Sequence, residues 1–183
     1  MKNILLLLLC AFMGFQTQAQ ETKTKKEIRA EKKIQELKTR DANRLIQEKW
    51  ADDKTFVLEA QQVFGKKGSS FLLNSSTNFV YVNGDNAIIQ LAFDHLVGWN
   101  GVGGITVKGK ITKYEVKYDE KNKPIYMNMT IQGSSGFQDI ALWMSTSGMG
   151  EAQITDIKGN RIRFTGNIVS LEDSKVFVGM ETF

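Results

Sequence analysis

From Phe56 onward the chain alternates apolar and polar residues with a period of two, and short turn sequences interrupt the alternation at close intervals. Successive side chains of a strand point to opposite faces, so a chain of short alternating runs must build sheet, and links this brief favour antiparallel neighbours. Phe56, Leu58, Ala60 and Phe64 share one parity. Residues 78–82 enter Asn83-Gly84-Asp85-Asn86, where Asn and Gly tolerate positive φ, and Ala87, Ile89, Leu91 and Phe93 follow on alternate positions. A hairpin is expected there. Ile105, Val107 and Ile111 hold one parity and Tyr114, Val116 and Tyr118 the other, which predicts a bulge near Thr112. Beyond a turn at 120–124, Ile125, Met127, Met129 and Ile131 alternate with polar neighbours, whereas 137–144 is apolar at nearly every position from Ile140 and reads as buried on both faces. A second hairpin is expected around Lys158-Gly159-Asn160, then a short strand at 176–178. The fold class that follows is mainly β: a single antiparallel sandwich or small barrel of about eight or nine short strands.

The segment before this body has a different grammar. Residues 20–50 are dense in Lys, Glu, Arg and Gln, contain no Gly or Pro, and predict a charged N-terminal helix. Ile34, Leu37 and Leu45 share one side at 100° per residue, and no sustained heptad exists, so a coiled coil is not expected. The helix either spaces or engages a partner, or rests its last turns on the β body through Leu45, Ile46 and Trp50; the second reading is preferred.

Residues 1–19 read as a signal peptide: Lys2, an apolar run over 4–15, then Thr17-Gln18-Ala19 with small residues where a signal peptidase reads. At about 1.5 Å per residue the apolar run spans about 18 Å of helix, short of a hydrocarbon core of about 30 Å. Cys10 is the one thiol and leaves with the leader; Leu9 before it disfavours lipidation. The expected organisation is therefore 1–19 signal peptide, 20–50 helix and 51–183 antiparallel β domain.

Composition closes off several activities. With 183 residues, 42% of them hydrophobic, the chain suits one globular domain and is not disordered. Between 21 and 55 there are 11 basic and 8 acidic residues, and from 56 to 183 there are 12 of each, so the body is neutral. Lys108, Lys110, Lys113 and Lys117 are the nearest approach to a nucleic-acid surface and read as the solvated side of a strand. A single His, His95, without a G-x-S-x-G elbow does not make a triad, and a zinc site lacks ligands. Asp119-Glu120 and Glu172-Asp173 lack the alternation of a calcium loop. Gly98, Gly101, Gly103 and Gly104 match no phosphate-loop pattern; they predict unusual backbone angles before the strand at Ile105, with Trp99 placed to cover a pocket. Met127, Met129, Met144 and Trp143 read as core rather than as a cavity lining. The terminal Phe183 resembles the end of an outer-membrane barrel, but Glu181 breaks the apolar parity and several strands are too short to span.

The stretches Phe56-Val-Leu-Glu-Ala60, Asn78 through Asp85 with Ile89-Gln-Leu91, Asn100 through Ile111, and Arg161-Ile-Arg-Phe-Thr-Gly166 resemble the DUF4251 family of exported Bacteroidetes proteins, over roughly 50–180. The resemblance implies an envelope protein of a Gram-negative bacterium and supplies no catalytic residues. The expectation is an exported protein, periplasmic or alternatively secreted or outer-membrane associated, that is not an enzyme, has no cofactor or metal and binds no nucleic acid. It would bind a small apolar or amphipathic ligand, or act as an interaction module for an envelope protein through its helix or a sheet edge.

Overall fold

In a computed structural model the described residues are 24–65, 68–92, 103–119 and 123–182. The chain divides into two compact units, Met1–Leu37 and Lys38–Phe183. The first contributes the opening of helix α1 (Lys25–Asp53). A capping box starts it: the Glu27 amide donates to Thr24 Oγ1 at 3.3 Å, and the Thr24 amide donates to Glu27 Oε2 at 2.8 Å. The signature T-x-x-E is present in the sequence and places the helix start five residues later than expected from composition.

The second unit holds the remainder of α1 and nine strands: β1 (Thr55–Phe64), β2 (Ser70–Leu72), β3 (Phe79–Asn83), β4 (Asn86–Ala92), β5 (Gly104–Tyr118), β6 (Ile125–Gly133), β7 (Gly136–Met144), β8 (Met149–Asp156) and β9 (Arg161–Val169). From β3 to β9 each strand pairs antiparallel with the next, and β1 pairs with both β3 and β9, which closes an eight-stranded barrel with β2 as an extra strand. Closure decides between the two architectures expected: the fold is a barrel. β2 and β3 lie end to end along the same edge of β1, with the Leu73 amide donating to Gln61 O at 2.9 Å and the Ala60 amide to Asn78 O at 2.8 Å.

The hairpin at Gly84-Asp85 forms with Asn83 paired to Asn86 and Gly84 at φ 58°, and the one at Lys158-Gly159 forms with Gly159 at φ 76°. The register shift between Ile111 and Lys113 is the bulge the parity change predicts. A second shift, between Ala60 and Gln62, corrects the parity read in β1: Val63 takes the inward position, paired to Phe164, in place of Phe64. β7 is buried on one face only, with Phe137 48% exposed. Its apolar outward residues Ala141 and Trp143 mimic a two-sided strand in sequence.

The inward positions of all eight barrel strands make one apolar core, and the outward ones carry the lysines of β5 together with Asn, Gln, Asp and Glu. Outward polarity is the reverse of the lipid-facing band of a membrane-spanning barrel. Among the described residues no helix is long and apolar enough to cross a membrane.

Two segments cover the barrel. The segment expected as a strand at 176–178 is instead an irregular strap over the outer face of β3, β4 and β5. Gln90 anchors it: Nε2 donates to Phe177 O at 2.8 Å and Thr77 O at 2.9 Å, while Oε1 accepts from the Gly179 amide at 2.8 Å and Thr106 Oγ1 at 3.1 Å. Those bonds satisfy a polar side chain that is fully buried on the outside of the barrel.

The second cover is the 38–53 part of α1, which stops one end of the barrel. Leu45 and Ile46, expected to make this contact, are 69% and 48% exposed; Arg44, Gln47 and Ala51 are buried instead, with Trp50 packed on the core. The apolar periodicity misled because the contact is largely polar. Arg44 donates from Nη1 to Lys123 O at 2.5 Å and from Nε to Glu48 Oε1 at 2.6 Å; Gln47 Nε2 donates to Ser145 O at 2.8 Å. Tyr114 Oη donates to Ala51 O at 2.7 Å and Tyr118 Oη to Asp52. The helix ends at Lys54, left-handed at φ 54°, whose Nζ reaches Asp85 Oδ1 at 2.8 Å.

Candidate functional site

Barrel strands alternate in direction, so α1 can stop only the end where β1, β4 and β6 begin. Inward side chains near that end, Phe56, Ile125 and Met144, have no exposure at all. Towards the other end exposure returns: Ile89 and Val107 at 7%, Ile154 at 5%, and Ile105, the outermost, at 52%. There the barrel interior opens as a cup of about 430 Å³. Its wall is Ile89, Leu91, Ile105, Val107, Ile154 and Phe164, drawn from β4, β5, β8 and β9, which face one another across the opening. That volume is in the range of about 300–1,000 Å³ typical of small-molecule sites, and the apolar wall with a few polar groups is the composition such sites have.

The polar groups are few and distinct in state. Gln138 occupies an inward position of β7, between Ile131 and Asp156 in register, and is 8% exposed. Its amide makes no hydrogen bond among the described residues and lines the cup. Asp156, at the rim, is fully engaged by its own turn: it accepts from the Lys158 amide at 2.9 Å, the Asn160 amide at 2.8 Å and Asn160 Nδ2 at 2.8 Å. The Asn160 side chain and backbone hold its carboxyl below the ordinary carboxylate value. Arg161, the first residue of β9, stands between the cup and a second recess of about 390 Å³ on the adjacent outer face, shared with Gly65 and Ile162. In that recess the Arg163 guanidinium lies 4.3 Å from the Phe64 ring centre and 3.8 Å from Glu151 Oε1. The Arg161 guanidinium has no ion-pair or hydrogen-bond partner among the described residues.

The residues weighed from sequence fall elsewhere. His95, Gly98, Trp99 and Gly101 lie outside the described residues, as do Cys10, Glu120 and Phe183. Gly103, at φ 67°, supplies the unusual backbone angle expected before β5. Met127, Met129 and Met144 are buried inside the barrel, away from the cup, whereas Trp143 is on the outer face opposite Tyr126. Lys110, Lys113 and Lys117 are exposed along β5, with Lys113 paired to Glu115 at 3.1 Å. Asp173 caps the turn at Ser170. No group of three or more His, Cys, Asp or Glu among the described residues is arranged to hold a metal. Sequence reasoning missed Gln138 and Arg161. The signal for Gln138 is a polar residue carrying the parity of Ile140, Leu142 and Met144; Arg161 gave none until the barrel closed.

The family model DUF4251, a domain of unknown function, matches residues 35–168, nearly all of the barrel and the part of α1 that stops it. The chain belongs to the DUF4251 family. The crystal structure of a DUF4251 family protein from Bacteroides eggerthii DSM 20697 is 28% identical, with a TM-score of 0.61 over 75% of this chain and 92% of that one. No curated protein matches. The DUF4251 match begins earlier than the stretch read from sequence, and so includes Arg44 and Gln47, and it ends before the strap.

Proposed function

We propose that this DUF4251 protein is an exported, non-catalytic protein of the bacterial envelope that binds a small apolar or amphipathic molecule in the open end of its barrel. The observation that carries the reading is the asymmetry of the interior: one end closed by α1, the other an apolar cup of about 430 Å³. The leader-like residues 1–19 support export, and the organism of the structural relative supports a bacterial source. The interaction-module reading draws on Ile28 and Ile34, each 53% exposed on the opening turns of the helix. Closure of the barrel leaves little free edge for strand addition, which favours the cup.

The test is titration of the chain from residue 20 with the neutral dye N-phenyl-1-naphthylamine, followed by fluorescence, alongside a Leu91→Trp variant that narrows the opening. Saturable binding at one site, lost in Leu91→Trp while the thermal midpoint holds, is the expected result. Absence of binding, or binding indifferent to Leu91→Trp, overturns the cup.

A further inference from the structure

The cup's polar fittings specify more than an apolar occupant. We infer that its ligand is an amphipathic anion, with the apolar chain in the cup and the anionic head at the rim, held by the Arg161 guanidinium and the Gln138 amide. The inference rests on the cup as a binding site and adds the chemistry of the head group.

Three observations converge. Gln138 is more than nine-tenths buried, projects from an inward position into an apolar wall, and has none of its amide hydrogen-bonding capacity used among the described residues. The amide reaches the solvent of the cup rather than being sealed in its wall, so its N–H donors are open to an oxygen acceptor there. Arg161 sits where the apolar cup meets the outer recess. Its guanidinium has no partner among the described residues, whereas Arg163 stacks on Phe64 and faces Glu151.

The acid at the rim does not oppose this assignment. Asp156 accepts from two backbone amides and the Asn160 side chain of its own turn and makes no ion pair with Arg161 among the described residues. A planar guanidinium binds a carboxylate or phosphate through two parallel N–H donors, and its stem covers apolar surface. A head group at Arg161 is therefore compatible with a chain that continues past Ile105 and Leu91 towards Phe164. A fatty carboxylate and a lipid phosphate share this chemistry.

The experiment is competition against N-phenyl-1-naphthylamine with decanoate, decyl phosphate and decan-1-ol, which carry the same chain with a carboxylate, phosphate or neutral head. The full exported chain is compared with Arg161→Gln, Arg161→Lys and Gln138→Leu. In the parent, an anionic competitor is expected to displace the dye about tenfold or more below the concentration decan-1-ol requires, as one charge-assisted contact allows. Arg161→Gln should remove that advantage and leave decan-1-ol unchanged; Arg161→Lys should restore part of it. Gln138→Leu should weaken the anions and strengthen decan-1-ol, a crossover that simple loss of packing would not produce. The ranking of decanoate against decyl phosphate identifies the source. If the dye binds but the anion and the alcohol compete equally, or Arg161→Gln weakens both alike, the head-group assignment is overturned and the cup stands. If the dye does not bind, the cup itself is overturned and the head group with it.

Discussion

The two ends of the barrel are built from the same strands, yet they finish differently. At the end stopped by α1, inward Phe56, Ile125 and Met144 are fully buried, and the covering helix is fixed by hydrogen bonds from Arg44, Gln47, Tyr114 and Tyr118. At the other end the inward residues Ile89, Val107 and Ile154 regain exposure, Ile105 is half open, and the Gln138 amide and Arg161 guanidinium have no partner among the described residues. At the first end most polar groups are engaged by structure, although Gln47 Oε1 is buried without a partner among the described residues; at the second the Gln138 and Arg161 side chains face the cup. A small barrel of eight strands has an interior just wide enough to be filled by side chains or to hold one small ligand; in this chain side chains fill one end, and a cup of about 430 Å³ is left at the other.

The sharpest way to break this contrast is to truncate one inward side chain at each end. Phe56→Ala removes a fully buried ring and is expected to destabilise the fold by about 3–5 kcal/mol. Ile105→Ala removes a side chain that is 52% exposed and should cost about 0.5 kcal/mol or less, while weakening dye binding. Urea denaturation of both variants measures the difference. Equal losses would mean that the open end is part of the packed core and not a site.

A smaller effect is expected from the polar seal. Tyr114→Phe deletes the bond to the Ala51 carbonyl and should cost about 1–2 kcal/mol. Burial raises the Tyr114 phenol above its ordinary value. The sign follows: the stabilisation is fully present below the ordinary phenol pKa of about 10 and is lost as pH rises through the folded value. Alkaline urea melts should therefore lose stability more steeply in the parent than in Tyr114→Phe, and dye binding at the far end should be the same in both.

Legibility from sequence divides along the same line. Strand alternation and turn residues made the antiparallel body, the hairpins at Gly84 and Gly159 and the bulge after Ile111 readable, because each is a local property. The choice of barrel over sandwich was not, since it rests on β1 meeting β9, residues a hundred positions apart. The helix contact was misread because Arg44 and Gln47 are the buried residues of a highly charged helix, and only their distant partners Lys123 and Ser145 make that burial tolerable. The cup was not legible as a place. Its wall comes from four strands whose adjacency is a product of closure, and Gln138 is a departure from pattern that looks like noise until its side chain is seen to line a cavity.

The smallest effect separates the ends by the kind of interaction that holds one aspartate at each. Both Asp85, in the turn beside the closed end, and Asp156, at the open rim, have carboxyls held below the ordinary carboxylate value. The sign is shared: each contributes stability that is present above its unfolded value and lost as pH falls through its folded one. The causes differ. Asp85 is lowered by its hydrogen bond with the Lys54 ammonium and by the charge of that same lysine, whereas Asp156 is lowered first by the Asn160 side chain and backbone. Charge attraction at an exposed pair is screened as the Debye length shrinks to about 3 Å at 1 M salt, but hydrogen bonds within a turn are not. NMR titration of the two carboxyl carbons at low and high salt should therefore find Asp85 moving up towards the ordinary value and Asp156 staying where it is. Lys54→Met should reproduce the Asp85 shift at low salt without touching Asp156. If both aspartates respond to salt alike, the rim carboxylate is not consumed by its turn, and it becomes available to pair with Arg161.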